Sequence, residues 1–473
     1  MRKTKIVCTL GPATDSYATI KKLIKAGMNV ARLNMSHGSH EEHASRIELV
    51  KRARAELSVP VAIMADTKGP EIRIGVFKNG SVELKSGETF TLDTKERAGD
   101  ESGISVTYPE LTEYVKAGDT ILINDGLIEL KAEAVEKTKV HCRIVTGGIL
   151  SNRKSINLPG TSIDMPYISD VDKKDILFAL SQDVDYFALS FVRSVEDIRQ
   201  VKKLLATSGG SDVQLIAKIE NRDGVNNFDS ILAECDGAMV ARGDMGVEIP
   251  FEELPAIQKH MIKACYNAGK KVITATQMLE SMISNPRPTR AEISDVANAI
   301  YDGTSATMLS GETAAGKYPV EAVKTMAKIA ETTEKEINFK KRFSELHADI
   351  RTITDAVSHS TCAAAFDLGA KAIITVSQSG YTARKVSRFR PVAPIIAPTT
   401  SEKAYNQLAM NWGVTPTMAV KQPNLDELFR HSLRCALSTG IVKRGDLVIL
   451  TGGVVGISGN TDTMRIEVIS DNL

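Results

Sequence analysis

The stretch MADTKGPEIR at 64–73 decides the fold when set beside IAKIEN (216–221), MVARGDMG (239–246) and ITATQM (273–278). Each begins as a short apolar run suited to a buried strand and ends in ionisable or hydroxylated residues. A parallel α/β barrel makes this pattern, because its strands fill the core while their C-terminal ends and the following loops carry the chemistry. Lys218 and Glu220 stand two residues apart and so project to one face, and Asp244 closes the next run. An ammonium and two carboxylates at one mouth are what a metal-assisted phosphoryl transfer requires.

Outward from these runs the rest of a barrel can be read. Strands are expected at KIVCTL (5–10), MNVARLNMS (28–36), VAIMADT (61–67), YFALSFV (186–192), VQLIAKI (213–219), GAMVARG (237–243), KVITATQ (271–277) and ATMLSG (306–311). That is the number an α/β barrel needs. Between the third and fourth the α/β rhythm stops. From about Glu71 to Pro166, short segments such as TFTLDT and KVHCRIVTGG alternate with Gly and Asn/Asp turn signals, the pattern of an inserted β domain. Ser169 with Asp172 marks a helix start, and Thr289-Arg290-Ala291-Glu292 is a capping box opening a helix that Gly303 stops. The polar stretch KKRFSELHADIRTI (340–353) marks a boundary, after which strands and helices alternate again. The expected fold class is therefore α/β: a (β/α)8 TIM barrel (1–70 and 169–340), an inserted β-barrel lid domain (71–168) and a C-terminal open α/β domain (341–473).

At 473 residues the chain is too long for one core, which agrees with several domains. Lys and Arg number 59 against 58 Asp and Glu, a balance that argues against a nucleic-acid or membrane-surface partner. No apolar run approaches the ~20 residues needed to span a bilayer, and the basic start MRKTKIVCTLGPAT turns straight into a strand instead of a signal peptide. The six cysteines are scattered without CxxC spacing, as expected of buried thiols in a reducing, cytoplasmic setting.

Several further residues belong at the same barrel mouth. Two carboxylates from adjacent strand ends, Glu220 and Asp244, suit Mg²⁺ or Mn²⁺, and Lys218 is the charge that would meet a transferring phosphoryl group. Gly243 leaves the backbone open to a ligand. Arg32 and Arg73 read as clamps for phosphate or carboxylate. Asn34, Ser36, Asp66 and Thr67 form an oxygen-rich group better matched to a monovalent cation. Thr276 at a strand end can deliver a proton, with Ser310 and Glu312 on the far side.

The motifs LNMSHG, DTKGPEIR, NLPG, SFVRS, AKIEN, MVARGDMGVEIP, TATQMLESM, NPRPTRAEISDVANAIYDGTSATMLSGETAAGKYP and RPVAPIIAPT resemble the pyruvate kinases along the whole chain. The resemblance implies phosphoryl transfer from phosphoenolpyruvate to ADP, giving pyruvate and ATP as the last step of glycolysis, in a cytoplasmic homotetramer of bacterial type. It matches Lys218 to the transition-state lysine, Glu220 and Asp244 to Mg²⁺ ligands, and Arg32, Gly243 and Thr276 to substrate contacts. It also matches Asn34, Ser36, Asp66 and Thr67 to the K⁺ site, and Arg73 and Lys154 to nucleotide-phosphate contacts. The lid segment NRKSINLPG departs from the common SKKGVNLPG at Arg153 and Ser155. Glu71 in the GPEIR motif implies a K⁺ requirement. An extra phosphotransferase-like C-terminal domain is not expected.

Two rival readings are a metal-dependent carbon–carbon lyase acting on pyruvate enolate, and a barrel that only senses nucleotide or sugar phosphate. The first would not need Lys154 or Arg73, and the second would be expected to lack Lys218, Glu220 or Asp244. In the C-terminal domain, TVSQSGYTA (375–383) joins a strand to a helix and offers Ser377, Ser379, Gly380 and Thr382 for a phosphate. In the kinases it resembles, this loop holds a phosphate of an allosteric sugar phosphate, with TGGVVGISGNTDT (451–463) as its companion. The effector is expected to be fructose 1,6-bisphosphate, another sugar phosphate or a nucleotide.

Overall fold

A computed structural model describes residues 1–346, 350–453 and 461–471. Eight parallel strands close into a barrel: Lys5–Thr9, Val30–Asn34, Ala62–Asp66, Tyr186–Leu189, Gln214–Ile219, Gly237–Ala241, Lys271–Ala275 and Ala306–Leu309. They are buried on both faces, which is why they read as apolar runs without polar alternation. Helices cover the outside. Arg290–Asp302 starts at the Thr289–Glu292 capping box and ends at Gly303, whose φ of 104° only glycine adopts without strain. Asp170–Ser181 starts at a Ser169–Asp172 box, an aspartate replacing the commoner glutamate.

After Asp66 the chain leaves the barrel and returns at Asp170. The strands between Ile72–Arg73 and Ser155–Asn157 form a seven-stranded sheet and a two-stranded sheet around their own core of Phe90, Leu92, Ile121, Leu130 and neighbours. TILINDGLIELKA, which reads as one segment, folds as the hairpin Thr120–Ile123 and Ile128–Val135, turned by Asn124, Asp125 and Gly126 at positive φ.

The C-terminal domain is a five-stranded sheet in the spatial order 414–418, 395–399, 372–375, 447–452, 463–468, parallel except for its last strand. Its residues reach into the barrel from below. SEKAYNQLAMNW reads as one helix, but the helix Glu402–Gln407 gives way to a 3-10 turn, Leu408–Met410. Ala409 and Met410 pack with Val7, Met64, Tyr186, Ile216 and Met239 in the barrel's interior. The Tyr186 hydroxyl donates to Gln407 O at 2.6 Å, and Gln214 Nε2 donates to Gln407 Oε1 at 3.1 Å. The N-terminal mouth is thus sealed by another domain, and the opposite mouth is left for chemistry.

Candidate active site

Strand Gln214–Ile219 alternates between the barrel interior and the helix layer. Gln214, Ile216 and Lys218 point inward, so the lysine arrives at the C-terminal mouth with Glu220 just beyond it. Lys218 Nζ lies 3.0 Å from Asp66 Oδ1, 3.0 Å from Glu220 Oε1 and 2.6 Å from Ser190 Oγ. Arg32 Nε lies 2.5 Å from Asp66 Oδ2, and its Nη1 donates to Thr9 Oγ1 at 2.9 Å. All four charged side chains are buried.

Burial opposes charge on Asp66, Lys218 and Glu220, and pairing overcomes it on the first two but not on Glu220. It would raise Asp66, but Arg32 and Lys218 outweigh it and hold the carboxyl below its usual range. It would lower Lys218, but Asp66 and Glu220 carry the ammonium above its ordinary value. Glu220 is pushed up by burial, against the pull of Lys218, and Asp244 adds to the push. Glu220, already paired with Lys218, thus also faces Asp244 as a second carboxylate. One Glu220 oxygen accepts the Phe191 amide at 2.6 Å, and Phe191 reaches that pose at φ 54°. A hard divalent cation fits here: two carboxylates that repel each other, with coordination places to spare for substrate oxygens. Among the described residues no cluster of three His, Cys, Asp or Glu side chains is built for a metal, so the protein alone offers only part of a coordination shell.

Asn34 and Asp66 are register partners on adjacent strands. Asn34 Oδ1 accepts the Ser36 amide at 3.1 Å, and Thr67 Oγ1 accepts the Ser190 amide at 3.2 Å. The four candidate K⁺ residues thus surround the end of one strand pair, beside Arg32. Gly243 and Asp244 lie in the first turn of a short helix, Arg242–Glu248, which replaces the strand end read from the sequence. A Cβ on Gly243 would meet only Thr276 side-chain atoms at 3.5–3.6 Å, ordinary contact. Internal packing therefore does not demand glycine there.

Thr276 accepts the Gly243 amide at 2.8 Å and donates to Ala275 O at 2.6 Å. It stands at φ 67°, with Gln277 at 55°, a left-handed pair without glycine. Arg242 holds this turn: its guanidinium donates to Ala275 O and Thr276 O and grips both Asp295 oxygens at 2.7 and 2.8 Å. Among the described residues neither Glu312 nor Ser310 is hydrogen-bonded to Thr276. The Glu312 carboxylate accepts the Leu279 and Ser310 amides at 3.0 and 2.7 Å, and so holds the loop. The Ser310 hydroxyl is buried with no partner among the described residues.

Arg73 donates to Glu71 at 2.6 and 2.9 Å and to Arg153 O at 2.9 Å, tying the strand Ile72–Arg73 to the segment that carries Lys154. Lys154 is half-buried, and its carbonyl accepts the Ile74 amide. In the C-terminal domain, Gly380 caps the helix Tyr381–Ser387 at φ 73°. Thr382 is buried, and its hydroxyl shares a 2.7 Å hydrogen bond with that of Thr461. Ser379 O accepts from Arg384 Nη1 at 2.8 Å, while Ser377 is half-buried. Residues 454–460 of the companion stretch lie outside the described residues.

Ser190, Arg242 and Asp295 are the site residues that sequence reasoning missed. Ser190 sits one residue past its barrel strand, as Glu220 does past its own, and that placement was the available signal.

Comparison with known proteins agrees with this geometry. Residues 1–323 match the family model described as pyruvate kinase, barrel domain, and residues 355–467 the one described as pyruvate kinase, alpha/beta domain. The chain is 50% identical over 472 residues to the pyruvate kinase of Clostridium acetobutylicum, covering 99% of this chain and 100% of the relative. It is 50% identical over 476 residues to that of Geobacillus stearothermophilus and 48% over 474 to that of Bacillus licheniformis, covering this whole chain and 81% of each relative. A barrel with its chemistry at the strand ends, an inserted β lid, a C-terminal α/β domain and half-identical relatives along the full length lead to one conclusion: the chain belongs to the pyruvate kinase family.

Proposed function

We propose that the chain transfers the phosphoryl group of phosphoenolpyruvate to ADP, giving pyruvate and ATP. The observation that carries the reading is the buried Lys218 ammonium, held by Asp66, Glu220 and Ser190 with a further carboxylate, Asp244, nearby at the C-terminal mouth of the barrel. Glu220 and Asp244 would hold Mg²⁺ or Mn²⁺, and Asn34, Ser36, Asp66 and Thr67 would hold K⁺. Bound there, the cations supply positive charge to the phosphoryl oxygens and to the enolate left behind.

The chain's own residues do the rest. Arg32 and Lys218 orient the phosphate, and Lys218 meets the charge of the phosphoryl group as its bond to the enol oxygen breaks and a bond to the terminal oxygen of ADP forms. Arg73 and Lys154, on the lid side, position the nucleotide phosphates. Gly243 leaves room for the carboxylate end of the substrate. The Thr276 hydroxyl gives its proton to the methylene carbon of the enolate, completing pyruvate, and the Ser310 hydroxyl, which has no hydrogen-bond partner among the described residues, would pass a proton through water.

The same reading makes the protein a cytoplasmic homotetramer at the last step of glycolysis. A sugar phosphate or nucleotide binding at Ser377, Ser379, Gly380 and Thr382 would lower the phosphoenolpyruvate concentration for half-saturation. The Thr382–Thr461 hydrogen bond supports a pairing of this turn with the segment that follows the 447–452 strand. Pyruvate formation from phosphoenolpyruvate and ADP, with Mg²⁺ and K⁺, tests the activity; no pyruvate, or pyruvate without ADP consumption, overturns it. Ser379→Glu is expected to abolish the effector response and leave maximal rate intact. A fructose 1,6-bisphosphate, sugar-phosphate and nucleotide panel that leaves the saturation curve unmoved overturns the regulatory part.

A further inference from the structure

The SFVRS motif, residues 190–194, joins the barrel strand Tyr186–Leu189 to the helix Val195–Thr207. One side of this loop meets the catalytic pair. The Ser190 hydroxyl accepts from Lys218 Nζ at 2.6 Å, and the Phe191 amide donates to Glu220 at 2.6 Å. The other side meets both linkers to the inserted domain. Toward the outgoing linker, the Ser190 hydroxyl donates to Thr67 O at 2.6 Å, and Gly69 packs so closely that a Cβ there would stand 2.8 Å from Ser190 O. Toward the returning linker, the Arg193 guanidinium donates to Ile163 O at 2.6 Å and to Met165 O at 2.7 Å. The Tyr167 hydroxyl, on the same linker, donates to Ser190 O at 2.9 Å.

The loop is stiff. Phe191 stands at φ 54°, a conformation that a phenylalanine keeps only where its surroundings hold it. Val192 is fully buried. Asp197 accepts the Arg193 and Ser194 amides at 2.8 and 3.1 Å and lies 3.6 Å from the Arg193 guanidinium, which fixes that side chain in its pose. Asn227 Nδ2 donates to Arg193 O at 2.9 Å. The linkers have more latitude, because a cleft of about 140 Å³ lies between them and the loop, lined by Pro70, Ile72, Leu158, Ile163, Met165 and Phe191. A loop so held does not absorb a displacement at one side; it passes it to the other. Arg193 suits the task, since its rigid fork of donors takes two carbonyls at once.

We propose that this loop couples the placement of the inserted domain to the Lys218–Glu220 pair, with Arg193 as a positioning residue; the inference rests on the phosphoryl transfer proposed above. Arg193 touches neither substrate nor metal ligand. It acts through the backbone that ends in the partners of Lys218 and Glu220. A nucleotide drawn in by Arg73 and Lys154 moves the inserted domain and its linkers, and the loop carries that movement to the enolate side. The two ligands therefore bind cooperatively, and by linkage each tightens the other by the same factor.

Titration calorimetry on the full chain tests this with oxalate, a planar dianion of the shape of the pyruvate enolate, in Mg²⁺ and K⁺, with and without saturating ATP. In wild-type protein ATP is expected to tighten oxalate by about fivefold or more. Arg193→Gln is expected to bring that ratio within about twofold of one, while the Kd of oxalate alone stays within about twofold of wild type. A merely structural role would weaken both. Tyr167→Phe removes one hydroxyl and should at least halve the ratio, so the test survives an Arg193→Gln chain that fails to fold. Ser162→Ala deletes a 2.7 Å hydrogen bond to Asp223 that bypasses the loop, and should keep the wild-type ratio. A wild-type ratio of one or less, a wild-type ratio in Arg193→Gln or in Tyr167→Phe, or an equal loss in Ser162→Ala would each overturn the assignment. Pyruvate formation by the unaltered protein, assayed alongside, separates the two readings: activity without coupling removes only the role of the loop.

Discussion

Replacing Asp295 by alanine probes how the Thr276 hydroxyl is held in place. Thr276 and Gln277 sit in succession at φ 67° and 55°. The left-handed conformation costs about 1–2 kcal/mol per residue, so the turn stores roughly 2–4 kcal/mol. Arg242 opposes the strain by binding the turn's carbonyls, and Asp295 fixes Arg242 through two short hydrogen bonds. The Arg242 and Asp295 side chains are 15% and 35% exposed. Solvent screening therefore reduces the pair to about 1–2 kcal/mol. Spent entirely on the turn, that loss lowers the population of the strained form by roughly 5–30-fold. We predict that Asp295→Ala lowers kcat by that factor in the coupled pyruvate assay, with a smaller change in KM for ADP. Gln277 is exposed, and Gln277→Gly removes strain without removing a buried contact. Added to Asp295→Ala, it is expected to recover several-fold in kcat. Full kcat in the single variant, or a loss that Gln277→Gly leaves untouched, would refute the reasoning.

Lys218→Met should cut phosphoryl transfer by ~10²-fold or more while pyruvate enolisation survives better; more than a tenth of wild-type turnover would remove Lys218 from its role. With Glu71 in place and Asn34, Ser36, Asp66 and Thr67 at one strand pair, activity should depend on K⁺, and comparable rates in tetramethylammonium buffer would exclude that. Asp185 is buried beneath the barrel, and burial, against the pull of Lys403, an amide hydrogen bond from Ile63 and Arg54, pushes its carboxyl up from 3.8 to about 6. A carboxyl raised in the folded state binds more protons folded than unfolded, so its contribution is fully present below the unfolded pKa and is lost as pH rises toward about 6. Asp185→Asn should accordingly raise the melting temperature at pH 7.5, with the gain shrinking below about pH 4; a variant less stable at pH 7.5 refutes it.

Much of the fold was legible because barrel strands are buried on both faces, so each apolar run is short, unbroken and ended by polar chemistry. Lys218, Glu220 and Asp244 stood out for the same reason. Ser190 was less visible, because a hydroxyl after a strand reads as an ordinary turn residue until a lysine 28 positions away is folded against it. Arg242 and Asp295 meet across 53 residues, a contact no local pattern encodes. The turn at 408–410 was read as more helix, since Leu-Ala-Met carries no stop signal of its own. Tertiary packing beneath the barrel decides its shape. Lys271 and Arg384 come from two domains, and only the packed structure shows that neither has an ion-pair partner among the described residues.

The placement of Ala409 and Met410 inside the barrel sets an order on synthesis. The eighth barrel strand is complete at Leu309, yet the residues that close its interior from below are made about a hundred residues later. At ~5–20 residues per second, the ribosome holds a finished ring of strands with an unfinished floor for roughly 5–20 s. In that interval Tyr186, Met64 and Met239 face an opening that only the nascent C-terminal domain can fill. A stop codon placed after the barrel, or a pause before codon 410, therefore yields a chain whose oldest part is exposed at its centre, and chaperone capture and proteolysis should concentrate on that species.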